Sequence, residues 1–595
     1  MRILLTLITC IGMAAALAAC SSGGGSSTPP PTGGSSAPTG LQTSSVNGDT
    51  VQLAWSPSGS FSGYRIYRDG VQIGSTTGSS FTDTGLTPGT TYTYFIRGET
   101  ASGLSPQSGT ITVTTASAGA FQLSKLLDPQ NRGRNFVRDV AFDAAGNIVV
   151  VGGAWDSNFP TTPGAYDRTF ATGGTTLGRE GPADAFVMKL DRAGNILWST
   201  LVGGPNYDRA YAVEVAPDGG IVIAGRAGEG FPTTAGVVQP NFAGDSNPNG
   251  PYGHQDGFIA KLSSDGSTLL WSTYFGDADR GIVRDIDIDS QNRIYVASVF
   301  GSTFPHITAN AAQPNVHGAH DLVYSRLNAN ASAVQYATFI GGAETSGSVF
   351  GTPSIRVTPS DDVYLVTYET GNGAPTTGAS FQQNNAGGYD FLVARFNSSD
   401  QLVYATYLGG AGEETLETHQ LEVDSAGRAI IAGTCNSSNY PTTSGVYQPA
   451  FGGGNVDGCV SILFANGSSL ATSTYLGGGG NDELEGVAIA SNGEIYVTGA
   501  TRSSGLSTSA NAFQRRFGGV EDGLIAVFSA DLTTAPFRSF IGGAGIDTLR
   551  AAALASDGAL VFGGLTESSN YPVTTGPAMT TPIDNFTGVI GLYAP

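Results

Sequence analysis

Carboxylates, histidines and one arginine carry the chemistry that this chain could do. Six segments, each following a recurring phrase that ends in glycine, hold Asp208, Asp277, Asp279, Glu344, Glu413, Glu414, Glu417, Asp482, Glu483, Glu485 and Asp547 against only Arg209 and Arg280. Acids massed on one rim focus negative potential, and hard cations want several carboxylate oxygens. Asp208, Asp277, Asp279, Glu413, Glu414, Asp482 and Glu483 are therefore candidate ligands for Ca²⁺ or a cationic partner, with solvated turn acids as the other reading. His306, His317 and His320 sit close to Asp321 and are weak candidates for a transition-metal site. Asp287, Arg356 and Glu422 occupy one equivalent position in three successive repeats, where a fixed structural ion network is expected. Rings at Phe159, Tyr166, Phe231, Phe304, Phe381, Tyr440, Tyr447, Phe513 and Tyr571 could stack on sugars or fold back as small cores for long loops. The sequence has no G-x-S-x-G, H-E-x-x-H or Walker motif, so no catalytic residue is named and no enzyme class is supported.

The elements that position these residues follow from composition and repetition. Glycine supplies 86 of 595 residues, about twice the usual ~7%, and each interior glycine costs a helix about 1 kcal/mol against alanine. Helical bundles are excluded. A net charge of −21 argues against nucleic acid as a partner.

Beyond Phe121 the phrase Trp198-Ser-Thr-Leu-Val-Gly-Gly204 recurs with first glycines at 276, 341, 409, 477 and 542, and Leu123-Ser-Lys-Leu-Leu127 is a worn copy. Two strands joined by a tight turn such as Asp143-Ala-Ala-Gly146 follow each copy, then a longer loop, then an Asp that opens a last strand: 184, 256, 321, 390, 457, 522 and 584. Four short strands, seven times over, with edges that must be covered, predict a seven-bladed β-propeller over 121–595. The repeats resemble the bacterial SBBP β-propeller family, which implies that fold and transfers no activity. On this reading the last blade lacks an outermost strand, and Phe121 to Leu127 should supply it. The crossing segments and the longer loops share one face, and a ligand site is expected there, biased toward blades one to three and the acids Asp208, Asp277 and Asp279.

Residues 40–116 alternate apolar and polar residues over short runs such as Val51, Leu53 and Trp55, as in a β-sandwich. Trp55 and Leu86-Thr-Pro-Gly-Thr-Thr-Tyr92 resemble the fibronectin type III core and its tyrosine corner. The chain is thus read as all-β, a fibronectin type III-like sandwich followed by a propeller.

The first residues read as an address. Met1-Arg2 and an apolar run to Leu17 form a secretory leader over 1–19. Leu17-Ala-Ala-Cys20 resembles the bacterial lipobox, which implies a diacylglycerol on Cys20, a membrane partner through that anchor, and residence at the cell envelope on the outer membrane, with the side open. Residues 21–39, rich in Ser, Gly and Pro, are a flexible linker. In an oxidising envelope Cys435 and Cys459, at facing ends of two adjacent strands of blade five, should form a disulfide. The leading function is a lipid-anchored binding or adhesion protein with a glycan or protein ligand. The alternatives are a carbohydrate-active or hydrolytic propeller using rim carboxylates, and a non-catalytic envelope scaffold.

Overall fold

A computed structural model describes residues 36–594 except 47–49, 58–60, 85, 87–89, 116–119, 128–133, 245–249, 279–280, 344–350, 418 and 575–585. The leader, Cys20 and most of the linker therefore lie outside the described residues, as do Asp279, Glu344 and the strand-opening Asp584. The chain divides into two compact units, one of residues up to Thr115 and one running from Ala116 to the end, with the short segment 85–90 grouped with the second.

The first unit is two antiparallel sheets. Gln42–Val46, Thr50–Ala54 and Ser80–Thr84 form one; Val71–Thr76, Gly63–Arg68 and Thr91–Thr100, with Gly103–Leu104 and Ile111–Thr114, form the other. Period-two alternation turns Val51, Leu53, Trp55, Tyr64, Ile66, Tyr94, Ile96 and Val113 inward, all buried. Asp69 and Gly70 take left-handed φ of 51° and 82°, the backbone that a two-residue hairpin requires. Arg68-Asp69-Gly70 is a turn. The fully buried tyrosine is Tyr94, two residues beyond the expected Tyr92, and its hydroxyl donates to Asp83 at 2.8 Å.

The second unit is seven antiparallel sheets, most of four strands. In chain order their first strands are Asn135–Phe142, Arg209–Val215, Ile282–Ile288, Ser354–Val357, the broken pair Glu414–Thr415 and Leu421–Val423, Asp482–Ile489 and Asp547–Leu554. Each first strand packs against the next, and that of sheet seven packs against that of sheet one. Second strands such as Ile148–Ala154 and Ile221–Ala227 are buried along their whole length and open on β-branched runs rather than alternating, whereas fourth strands begin half in water at Leu197, Leu270 and Val403. The tight turns are closed by their own side chains. Asp143 accepts the backbone N–H groups of Ala145 and Asn147 at 2.9 and 2.8 Å, an Asx turn that makes Gly146 take its left-handed φ of 78°.

Sheet seven takes Asp547–Leu554, Leu560–Thr566 and Thr587–Ala594 from the end of the chain and Ala120–Leu126 from the start of the unit. Leu592 faces Leu123 and Val589 faces Leu126 in that pairing. The chain ends hide an edge that would otherwise template aggregation. Cys435, the last residue of one strand of sheet five, is joined by a disulfide to Cys459 on the adjacent strand, with the Cα atoms 6.0 Å apart.

The joint between chain ends is testable by a cavity. Leu123 is fully buried among Val140, Leu190 and Leu592, so Leu123→Ala should cost about 2–5 kcal/mol in denaturant unfolding. Leu270→Ala, at a half-exposed position, should cost less than about 1 kcal/mol.

Candidate functional site

The acids of the second unit are engaged with backbone. Crossing segments and long loops have no strand partners, yet a buried amide without an acceptor costs about 1–3 kcal/mol. Side chains meet that demand. Asp208 accepts from the N–H groups of Gly204 and Gly228 at 2.6 and 2.9 Å. Glu414 accepts from Gly410 at 2.8 Å, Asp482 from Gly478 and the Ser503 hydroxyl, both at 2.7 Å, and Asp547 from Gly543 and Ser568, both at 2.7 Å. The strand-opening aspartates do the same for the long loops, helped by a glutamine. Gln313 accepts from Gly341 N–H at 3.2 Å while donating to Asp321 at 2.8 Å and to the Asn315 carbonyl at 3.1 Å. Gln239, Gln382, Gln448 and Gln514 repeat the arrangement. A Cβ on the first glycine after each phrase, Gly203, Gly276, Gly341, Gly409, Gly477 or Gly542, would fall within 2.6 Å of the opening carboxylate. That contact explains the repeated glycine.

Several expectations are corrected here. Asp208, Asp277, Glu414 and Asp482 are buried and each accepts from a loop amide, so they present no exposed ring of ligands for Ca²⁺; among the described residues of the expected rim only Glu413 and Glu483 are exposed. Among the described residues no three His, Cys, Asp or Glu side chains group as a metal site. His306 is stacked on Phe275 at 5.7 Å and edge-on to Phe304, while His317 Nδ1 lies 3.2 Å from the Gly341 carbonyl. The loop rings fold back: Phe159, Phe231, Phe304, Tyr440 and Tyr571 are buried in sheet cores, and Tyr166, Phe381, Tyr447 and Phe513 pack against them. They are unavailable for stacking on sugars.

What the structure gathers instead is cations. Opposite the tight turns, where the first strands begin, five of these strands carry a β-bulge, between Val137 and Asp139, Ala210 and Ala212, Val283 and Asp285, Leu484 and Gly486, and Leu549 and Ala551. A bulge leaves one residue outside the ladder and re-aims its side chain. The residues passed over are Arg138, Tyr211, Arg284, Glu485 and Arg550. In sheet five the break in the first strand places Glu417 alongside them. All of these but Glu485, with Arg134, Arg209, Arg226 and the rings of Phe136, Tyr252 and Tyr368, line a cavity of about 490 Å³.

Charge in this cavity is unbalanced. Arg138 pairs with Glu417 at 2.9 Å, Arg550 with Glu485 at 2.7 Å, and Arg134 with Glu180 at 2.7 Å. Arg209, Arg226 and Arg284 have no carboxylate partner among the described residues. The guanidinium carbons of Arg138, Arg209, Arg226 and Arg284 stand 4.9, 4.5, 5.3 and 4.8 Å from the centre of the Tyr211 ring, and Arg209 donates to its hydroxyl. Burial alone would raise the Tyr211 pKa, but the four arginines outweigh it and hold the phenol well below its ordinary value.

Toward the tight turns the same space is closed by an ion network. His419 Nδ1 is 3.1 Å from Asp285, and its Nε2 is 3.5 Å from Asp139. Burial opposes the imidazolium, yet Asp139 and Asp285 together raise the His419 pKa to about 9. Arg356 pairs with Glu422 at 3.3 Å and Asp285 at 3.5 Å. Of the two acids expected around Arg356, Glu422 forms the pair and Asp287 does not, because the Asp287 carboxylate accepts from the N–H groups of Val357 and Ile288 at 2.6 and 2.7 Å. Asp139 and Asp285 likewise reach the next sheet, accepting from Val213 at 2.7 Å and Ile355 at 3.0 Å.

Of the cavity residues, the sequence singles out only Arg209 and Glu417, as crossing-segment charges, although a signal for others was there. Arg138, Tyr211, Arg284, Glu485 and Arg550 lie three positions before Ala141, Glu214, Asp287, Ala488 and Ala553, which hold the place in their repeats that Arg356 and Glu422 hold in theirs. Pairing the strands regularly places both positions in a ladder; the bulge frees one.

The fibronectin type III domain family matches residues 36–114. Similar proteins include the regulatory protein FlaEY of Caulobacter vibrioides, 24% identical over 325 residues, 51% of this chain and 32% of that protein. Exoglucanase B of Cellulomonas fimi is 31% identical over 156 residues, 24% of this chain and 14% of the enzyme. Chitinase C of Streptomyces lividans is 29% identical over 191 residues, 31% of this chain and 26% of the enzyme. The chain thus spans a third or less of the length of these relatives.

Two measurements check the account of the acids. Gln313→Ala should cost about 1–3 kcal/mol, because the Gly341 amide and Asp321 lose a buried partner. Burial also pushes the pKa of Asp184 up to about 8, of Asp208, Asp256, Asp457 and Glu414 to about 7, and of Asp390 and Asp522 to about 6. A carboxyl whose folded pKa exceeds its unfolded value contributes stability at acid pH that is lost as pH rises through the folded value. Tyr211, shifted downward, works in the opposite sense, but it is one group against seven. The melting temperature should therefore fall between about pH 5 and about pH 8, as read by calorimetry.

Proposed function

We propose that this is a carbohydrate-active protein of the cell envelope that binds a glycan in the arginine- and tyrosine-lined cavity. In this reading the seven sheets close into a seven-bladed β-propeller of SBBP type, the fibronectin type III domain is a spacer, and Cys20 carries a lipid that anchors the chain at the outer membrane. The cavity is the observation that carries the proposal. Its volume of about 490 Å³ suits a small ligand or a few sugar units. Its lining combines rings that offer flat apolar faces and hydroxyls with fork-shaped donors that can read ring substituents. It is built mainly from first and second strands, with loop residues such as Tyr252 completing it, and recognition usually resides where loops stand on such a rigid scaffold. Two of the similar proteins are named as an exoglucanase and a chitinase, which supports a glycan over an unspecified adhesion partner. Asp208, Asp482 and Asp547 have no part in this proposal, since they are buried and accept from loop amides.

A glycan array probed with the full chain tests it. Binding to a restricted set of glycans is expected, falling by about tenfold or more in Tyr252→Ala, which removes a cavity ring. Chain shortening of a bound oligosaccharide, read by mass spectrometry, would add catalysis to binding; absence of binding to any glycan contradicts the proposal.

A further inference from the structure

The cavity holds more cation than the fold can use. Arg226, at the end of a strand in sheet two, is 3% exposed. Its Nε and Nη1 are buried with no hydrogen-bond partner among the described residues. Its guanidinium instead lies 4.3 Å from the centre of the Tyr252 ring and 5.3 Å from that of Tyr211. Arg209, directly opposite it in the strand pairing, is also buried, as is Arg284. A buried guanidinium without a counter-ion is expensive to keep, and removing it commonly stabilises a fold. Burial pulls Arg226 below the ordinary guanidinium range, and Arg209 and Arg284 add to that pull. Arg209, Arg226 and Arg284 share the Tyr211 ring and, among the described residues, none of them pairs with a carboxylate; even with Tyr211 held toward its phenolate, the cations outnumber the counter-charge, the arrangement of a site awaiting an anion.

We propose that Arg209, Arg226 and Arg284 form a subsite for the carboxylate of an acidic sugar, so that the glycan of this cavity is a uronic-acid-containing polysaccharide. The inference rests on the glycan reading above and narrows it. A carboxylate is flat and two-pronged, and an arginine fork meets it with two parallel N–H···O bonds. Two such forks can clamp it from either side while the neighbouring sugar ring lies on Tyr252. A neutral sugar leaves the Arg226 nitrogens unpaired and gains nothing from them. A sulfated sugar presents the same charge without the flat geometry.

The test is isothermal titration of the full chain with four oligosaccharides of matched length: an oligogalacturonate, its methyl ester, a neutral glucan and a sulfated glucan. The oligogalacturonate should bind about tenfold or more tightly than its methyl ester and than the other two, and the preference should vanish in Arg226→Met and Arg284→Met. Arg226→Met should also raise the melting temperature of the unliganded chain by about 2 °C or more, because it removes an uncompensated buried charge. A merely structural arginine would lower it. If the ester and the neutral glucan bind as tightly as the acid and Arg226→Met changes neither binding nor preference, the carboxylate subsite is wrong and the glycan site stands. Tighter binding of the sulfated glucan than of the uronate also overturns the carboxylate assignment. If none of the four binds, the subsite falls, and the glycan reading falls with it when the glycan array is silent as well.

Discussion

A buried amide with no strand partner must find an acceptor, and most of the second unit can be understood from where it finds one. Every crossing segment and long loop exposes such amides at the end of the sheets opposite the tight turns. Asp208, Glu414, Asp482 and Asp547 take those that follow the glycine pairs, and the opening aspartates with their glutamines take those of the long loops. Glycine is required where a Cβ would strike the same carboxylate. One interaction thus accounts for the acid content, the glycine content and the way irregular loops of different length are pinned to regular sheets.

The electrostatic consequence runs against the composition. The chain is strongly acidic, but many of its carboxylates are directed into backbone and held there, some of them raised in pKa by burial. The first strands meanwhile carry bulges that turn Arg138, Arg284 and Arg550 toward a common space with Arg209 and Arg226. Only part of that charge is neutralised by Glu417 and Glu485. The same strands supply a second cluster nearer the tight turns, where His419, Asp139, Asp285, Arg356 and Glu422 bind neighbouring sheets together. The two clusters sit at successive depths of one scaffold and do different work: the deeper one is internally paired, and the outer one is not.

The all-β class and the fibronectin type III domain were legible because period-two alternation and a seven-fold phrase are statements about backbone, which sequence reports directly. Burial is less direct. Asp208 and Asp482 look like solvated loop acids until the glycine amides beside them are seen to need acceptors, and Phe231 or Tyr440 looks like a rim aromatic until the loop is seen to need a core of its own. Repeat position places Asp287 and Glu422 alike beside Arg356, and only Glu422 pairs with it, since position in a repeat says which residues are near and not which oxygen is already taken. Arg226 could not be foreseen at all. Its importance lies in lacking a partner, a property of three dimensions with no trace in residue type.

The central claim is that the loop acids are structural and the arginines beneath them are the binding groups. A crystal structure of the full chain grown with an oligogalacturonate tests it most directly. The account predicts density in the cavity with a sugar carboxylate within hydrogen-bonding distance of Arg226 and Arg284 and a sugar ring against Tyr252. Density for the saccharide on the crossing-segment acids, or among the tight turns at the opposite end of the sheets, with Arg226 still unpaired, would contradict it.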